Sequence, residues 1–267
     1  MTKAALDALV TERDLALELG RSLSAEEWAA PSDCAGWRVQ DVYGHMASIY
    51  HQVADPSITP PDSGGDNEAA AELMLDPFRD LPPDEVFAQY QAWSDQALAA
   101  LAPLQDPPLA DTVIALGNLG SHPLHLLANA IVFDHYCHLR NDLLQPNGPL
   151  DRPALPHAEG SLAATMTWML AGLPEMCAPA MPVVDRPVNL VFEGAGGGTW
   201  VLRPPAEEGG VVVIEEGSDP SAAATVTSTP HDFVCWGTKR RPWREQGVRV
   251  AGDEAYAASI LDAVNVI

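Results

Sequence analysis

The sequence predicts two domains of different class: a helical N-terminal part over residues 1–180 and a smaller C-terminal α+β part over residues 181–267. Three observations carry this. Up to about residue 175, apolar residues recur at helical spacing, and Pro- and Gly-rich loops separate the segments. After Pro182 the pattern becomes short β-branched runs between Gly- and Pro-rich turns, closed by one amphipathic segment. A chain of 267 residues is also long enough to give each part its own core.

Residues 4–23 place Leu6, Leu9, Val10, Leu15, Leu17, Leu19 and Leu23 at amphipathic spacing, which predicts a first helix. Ser24 with Glu27 three residues on is a capping-box pattern that opens a short helical turn. A loop at 31–36 leads through Trp37 into a helix over 39–53 carrying His45 and His51. Residues 55–83 are rich in Pro, Gly and Asp and read as a long connection with a short helix over 68–75. A third long helix is predicted over 84–101, with Val86, Phe87, Tyr90, Trp93 and Leu98 on its apolar face, and 104–120 reads as irregular. No Gly or Pro interrupts 124–145, so a fourth long helix is expected from Ser121 or Pro123 to Leu144, and a fifth over 160–171 ending before Pro174. Strands are predicted at 188–192, 199–202, 211–215, 224–228 and 248–251, with helices at 231–237 and 254–266. The glycine run 194–198 separates two strand-like runs and lacks a phosphate loop's Lys-Ser/Thr ending, so it reads as a hairpin turn.

Thirty-seven acidic against 14 basic residues give a net charge of −23, which repels phosphate and argues against a nucleic-acid partner. No basic N-terminal segment precedes an apolar core, and no apolar run approaches the roughly 18 residues of a membrane span. The four cysteines show no C-x-x-C spacing and read as reduced thiols. A cytoplasmic protein is expected, a monomer or homodimer acting on a small molecule, with no membrane partner.

The chemistry concentrates in residues 133–142, F-D-H-Y-C-H-L-R-N-D. Asp134 and His138 are four residues apart, as are His138 and Asp142, so each pair shares a helix face. An acid–imidazole pair so placed either ligates a metal or simply hydrogen-bonds. In an antiparallel bundle His45, on a G-H-M-A stretch whose small residues admit a neighbouring helix, would face Asp134 and His138. That His–carboxylate–His set suits Zn, Ni or Fe with an open position. Asp142 either replaces Asp134 as ligand or accepts a hydrogen bond from the other ring nitrogen of His138. His135 and Cys137 point about 100° away from their neighbours on the helix, His122 and His125 read as capping or surface groups, and His51 lies off the site. Arg140 is expected to pair with a carboxylate. No G-x-S-x-G elbow is present, so a protein nucleophile finds little support. The island K-R-R-P-W-R at 239–244 reads either as a solvated loop balancing nearby acids or as an anion site using Arg241 or Arg244.

Taken together, E-E-W-A-A-P-S-D-C-A-G-W-R-V-Q-D-V-Y-G-H-M-A and F-D-H-Y-C-H-L-R-N-D-L-L resemble the mycothiol-dependent maleylpyruvate isomerase family, within the DinB-like group of metal-binding four-helix bundles. The tail V-N-L-V-F-E-G…T-W-V-L-R-P…A-T-V-T-S-T-P-H-D-F is similar to that family's C-terminal domain, which resembles sterol carrier protein 2. The resemblance implies a divalent metal, usually zinc, on His45, Asp134 and His138. It also implies mycothiol or a similar thiol, activated to add to an electrophilic double bond. Elimination after rotation then gives cis-to-trans isomerisation, and release of the adduct gives S-transfer. The alternative is a non-enzymatic protein whose metal is structural, sensory or vestigial and whose second domain holds a hydrophobic ligand. The family pattern usually has Glu where this chain has Asp134, so either the helices sit closer or the metal is held more weakly.

Overall fold

The structure, a computed structural model, describes residues 3–59, 61–207 and 209–267. They fall into two compact units, Met1–Pro156 and His157–Ile267.

The first unit is built on four long helices, α1 (Lys3–Ser22), α3 (Val39–Ala54), α5 (Pro83–Leu101) and α6 (Leu127–Cys137), with α2 (Ala25–Ala29) and α4 (Asn67–Arg79) between them. Helix α3 packs along α5 and α1 along α6. The Ser24–Glu27 capping box forms as the spacing predicts, with each side chain bonded to the other's backbone N–H. Between α3 and α5 the core is aromatic. Trp28 and Tyr43 meet edge to face at 4.7 Å between ring centroids, and Tyr43 and Tyr90 at 5.6 Å. Such contacts add roughly 0.5–1.5 kcal/mol each beyond their buried area. The Tyr43 hydroxyl donates to the Ala16 carbonyl at 2.7 Å, which joins α1 to this cluster.

Three details of this unit depart from the sequence expectation. Helix α4 runs past Pro77 to Arg79, because a proline in the last turn removes one hydrogen bond without breaking the turns before it. Residues 104–120 hold 3₁₀ turns and β1 (Val113–Ala115), which pairs antiparallel with β2 (Ser121–Pro123). The fourth long helix does not stay α: beyond Cys137 the segment His138–Leu143 is a π-helical turn, a rare local widening of the helix that clusters at functional sites.

The small residue beside His45 does admit a helix, and that helix is α4. A Cβ on Gly44 would lie 2.8 Å from Leu75 Cδ1 and 2.9 Å from Phe78 Cβ. Gly44→Ala is therefore expected to destabilise the protein by about 1–3 kcal/mol through overpacking, read as a lowered denaturation midpoint. An unchanged midpoint would show that α4 yields freely.

The second unit begins with α7 (Glu159–Met176), followed by β3 (Val188–Phe192), β4 (Gly198–Arg203), β5 (Val213–Glu216), β6 (Ala224–Ser228), α8 (Pro230–Gly237), β7 (Arg249–Gly252) and α9 (Glu254–Ala263). The sheet order is β5-β4-β3-β6-β7, with β3 and β6 parallel and the other neighbours antiparallel. The glycine run turns the β3–β4 hairpin: Gly196 has φ +69°, and a Cβ there would meet the backbone of Leu162 and Ala163 in α7 within 3 Å. Gly237 of α8 lies as close to Met169 of α7. Helix α7 thus packs within the second unit, so the units part at 156/157, whereas the change of pattern in the sequence suggests 180/181. A helix buried on most sides announces a core but not whose core. Among the described residues no helix is long and apolar enough to cross a membrane.

Candidate metal centre

One helix start and one widened helix end place the side chains that matter. Helix α3 opens at Arg38, where the Asp41 carboxylate accepts from the Arg38 backbone N–H at 2.8 Å and from its guanidinium at 2.8 and 2.9 Å. Burial would raise the Asp41 pKa, but the bonds from Arg38 outweigh it and hold the carboxyl below its ordinary value. This fixes the first turn of α3, and His45 stands one turn later on the face toward α6. Asp134 on α6 and His138, the first residue of the π turn that continues it, stand four residues apart, as the sequence predicts.

The three side chains converge. His45 Nε2 lies 3.0 Å and His138 Nε2 3.4 Å from the same atom, Asp134 Oδ1. Side-chain exposure is 12, 17 and 9 % for His45, Asp134 and His138, so the group is largely removed from water yet reachable. Donors bound to one small divalent ion at about 2.0–2.1 Å stand roughly 3.3 Å apart in a tetrahedral shell, and these separations fit. The short aspartate side chain reaches both imidazoles because α3 and the end of α6 sit close together here. The other oxygen, Asp134 Oδ2, is buried without an aligned donor: His135 Nδ1 stands 3.3 Å away but is directed at the Ile131 carbonyl at 3.0 Å. His45 Nδ1 is likewise buried without a partner among the described residues. An incompletely satisfied buried carboxylate flanked by two imidazoles is the donor set of a cation site.

Asp142 takes the other side of His138, its Oδ2 2.8 Å from Nδ1. That is the supporting arrangement in which a carboxylate fixes the tautomer and leaves Nε2 free to ligate. Burial of His138 would lower its pKa, but Asp134 outweighs it, with further help from Cys34 and Asp142, and the pKa is raised well above the ordinary value. Burial of Asp134 would raise its pKa, but His138 and His45 hold it well below. An ion binding His138 Nε2 competes with the proton that this shift favours. Metal loading is expected to release protons, and affinity to fall as the pH is lowered. Calorimetry in two buffers of different ionisation enthalpy checks this; no buffer dependence would reject it.

Sequence reasoning missed two neighbours of this group, both in the loop before α3. Trp37 stacks beside it, with ring centroids 5.1 Å from His45 and 6.3 Å from His138. Cys34 brings Sγ to 3.7 Å from His138 Nδ1. Asp33 N–H donates to the Asp142 carbonyl at 2.9 Å, which ties the loop to the π turn. Loops carry no periodicity, so only the unusual density of Trp, Cys and Gly in P-S-D-C-A-G-W pointed here.

Within the first unit the remaining candidates lie apart from the cluster. His51 stacks on Trp93 at 3.8 Å. His122 and His125 bond the carbonyls of Leu119 and Ala110. Cys137 is buried, and Arg140 forms a two-pronged bond to Glu12. In the second unit Arg244 makes two bonds to the Asp262 carboxylate, at 2.8 and 3.2 Å, and lies over the Trp243 ring. The Arg241 guanidinium bonds the Arg240 carbonyl at 2.6 Å.

Residues 9–140 match the family described as the mycothiol maleylpyruvate isomerase N-terminal domain. Two crystal structures of the mycothiol-dependent maleylpyruvate isomerase, one of them a histidine-to-alanine mutant, share the fold. Their TM-scores are 0.56 and 0.55, each at 12% identity, covering 92% of this chain and 91% of theirs. No curated relative matches the chain in sequence.

Proposed function

Because residues 9–140 match the mycothiol maleylpyruvate isomerase N-terminal domain family, we propose that this protein is a metal-dependent enzyme of that kind. It joins a low-molecular-weight thiol of the mycothiol type to a small electrophilic substrate, as an isomerase or as an S-transferase. The observation that carries the proposal is the convergence of His45 Nε2 and His138 Nε2 on one oxygen of Asp134. Three protein donors leave an open position, and their nitrogen and oxygen atoms suit zinc first, with nickel and iron also accommodated. The ion would supply Lewis acidity, which lowers the pKa of a thiol brought beside it.

The chain's own groups do the rest. Asp142 holds the His138 ring in one tautomer and orientation, and Trp37 shields one side of the imidazole pair from water. Arg241 and Arg244 are proposed to receive the carboxylate of an acidic substrate; Arg244 would exchange Asp262 for it. The second unit's five-stranded mixed sheet supports the sterol carrier protein 2-like reading of that domain, and four free cysteines fit a reducing cytoplasm.

Protein purified without an affinity tag is expected to hold about one divalent ion per chain and to convert maleylpyruvate only when mycothiol is present. Arg244→Ala should raise KM about tenfold with little change in kcat, the signature of lost binding that is uniform between ground and transition states. Retained metal with no turnover of maleylpyruvate or other electrophiles by any thiol would overturn the enzyme reading in favour of a structural or sensory metal.

A further inference from the structure

The imidazole of His138 has a second donor set on its other side. Cys34 Sγ stands 3.7 Å from His138 Nδ1, and Asp142 Oδ2 stands 2.8 Å from the same nitrogen. Each residue offers one ligand atom, and all three atoms lie within 4.8 Å of one another. An ion bonded to sulfur at about 2.3 Å and to nitrogen or oxygen at about 2.0–2.1 Å holds such donors roughly 3.3–3.6 Å apart. The sulfur, at 3.7 Å, is within about 0.1 Å of that range, and the carboxylate, at 2.8 Å, needs to swing by only about half an ångström.

The loop presents this thiol in a fixed place. Ser32 Oγ accepts from Cys34 N–H at 3.2 Å, Trp37 N–H donates to the Cys34 carbonyl at 3.0 Å, and Asp33 N–H is bonded to the Asp142 carbonyl. Cys34 is half-buried, whereas Cys137, Cys177 and Cys235 are buried in the cores of their units. It is the thiol best placed to meet an ion from solution.

We propose that Cys34, His138 Nδ1 and Asp142 form a second metal position, selective for thiophilic ions, that competes with the His45–Asp134–His138 position for one imidazole. A neutral imidazole has one donor and one acceptor nitrogen. An ion on Nε2 requires the proton on Nδ1, where Asp142 accepts it. An ion on Nδ1 requires the proton on Nε2, where Asp134 Oδ1 stands 3.4 Å away. Each carboxylate is therefore ligand in one state and hydrogen-bond acceptor in the other. Zinc and other borderline ions take the all-nitrogen-and-oxygen set, and softer ions take the set containing sulfur. The protein would thus register soft-metal exposure by surrendering its working ion.

Cadmium is the probe, added to the full metal-free chain. One bound equivalent is expected to produce the near-ultraviolet thiolate-to-cadmium absorption band, and cadmium added to the zinc-loaded chain should release zinc as the band appears. Cys34→Ser should abolish the band and weaken cadmium binding about tenfold or more, with circular dichroism confirming an intact fold. His45→Ala should keep the band while losing zinc, which separates this position from the first one. Stoichiometric cadmium without the band, or a band that survives Cys34→Ser, would overturn the site. Simultaneous binding of one zinc and one cadmium with the band intact would overturn the competition.

Discussion

Asp134→Asn is expected to lose bound metal almost completely, whereas Asp142→Asn keeps metal with affinity reduced about 10–100-fold. The two aspartates flank the same histidine at the same spacing, and only geometry separates them. Asp134 Oδ1 is the atom on which both imidazole Nε2 atoms converge, so replacing the carboxylate with an amide removes both a ligand and the negative charge between two histidines. Asp142 meets His138 on its far nitrogen and acts through it. Elemental analysis of the two variants after dialysis, beside the unmutated chain, reads the difference directly. Equal metal in Asp134→Asn and the unmutated protein would reject the ligand assignment, and equal loss in both variants would place Asp142 on the ion instead.

The second large effect is on stability. Glu12 on α1 and Arg140 on the π turn are paired through two bonds, at 2.6 and 3.0 Å, with side-chain exposures of 0 and 3 %. Arg140 also donates to the Pro156 carbonyl and lies 3.9 Å over the Tyr136 ring. Removing one partner strands a buried charge, so Arg140→Met is expected to cost about 3–5 kcal/mol, a fall in melting temperature of roughly 10 °C. The double change Glu12→Leu with Arg140→Met should recover most of that loss, because two apolar side chains leave nothing unsatisfied. A double variant no more stable than the single one would show that this pair is not an isolated electrostatic unit. Because Arg140 anchors the turn that carries His138 and Asp142, the single variant should also bind metal less tightly.

Much of the site was legible in the chain because helices convert spacing into position. Asp134 and His138 share a face by their separation alone, and the Ser24–Glu27 box forms as its pattern implies. His45 required a further step, since which helix face meets which is decided by packing. Gly44 on the neighbouring face is occupied by α4, leaving His45 toward α6. Cys34 and Trp37 were not legible as site residues, because a loop's path depends on hydrogen bonds such as Asp33 to Asp142 that join residues more than a hundred positions apart. Helix α7 falls in the second compact unit, whereas the sequence pattern groups it with the first, for a related reason: Leu162, Met169 and their neighbours state that the helix is buried, and only the glycines at 196 and 237 reveal against what. The π turn left no trace at all, since 124–145 contains neither Gly nor Pro and no other residue type marks the change.

That turn has a consequence for how the site can change over time. A π segment accommodates one more residue than an α-helix over the same stretch, and it rotates the residues beyond it by about 100° relative to an uninterrupted helix. Between His138 and Leu143 the protein therefore holds part of its site in the length of the chain rather than in the identity of a side chain. Deleting a single residue between His138 and Asp142 would restore an ordinary helix with the two three positions apart, still neighbours but out of the register that sets their 2.8 Å bond, while leaving His45 and Asp134 as they stand. The two carboxylates thus answer to different kinds of genetic accident: Asp134 to substitution, Asp142 to substitution and to a slip of one codon.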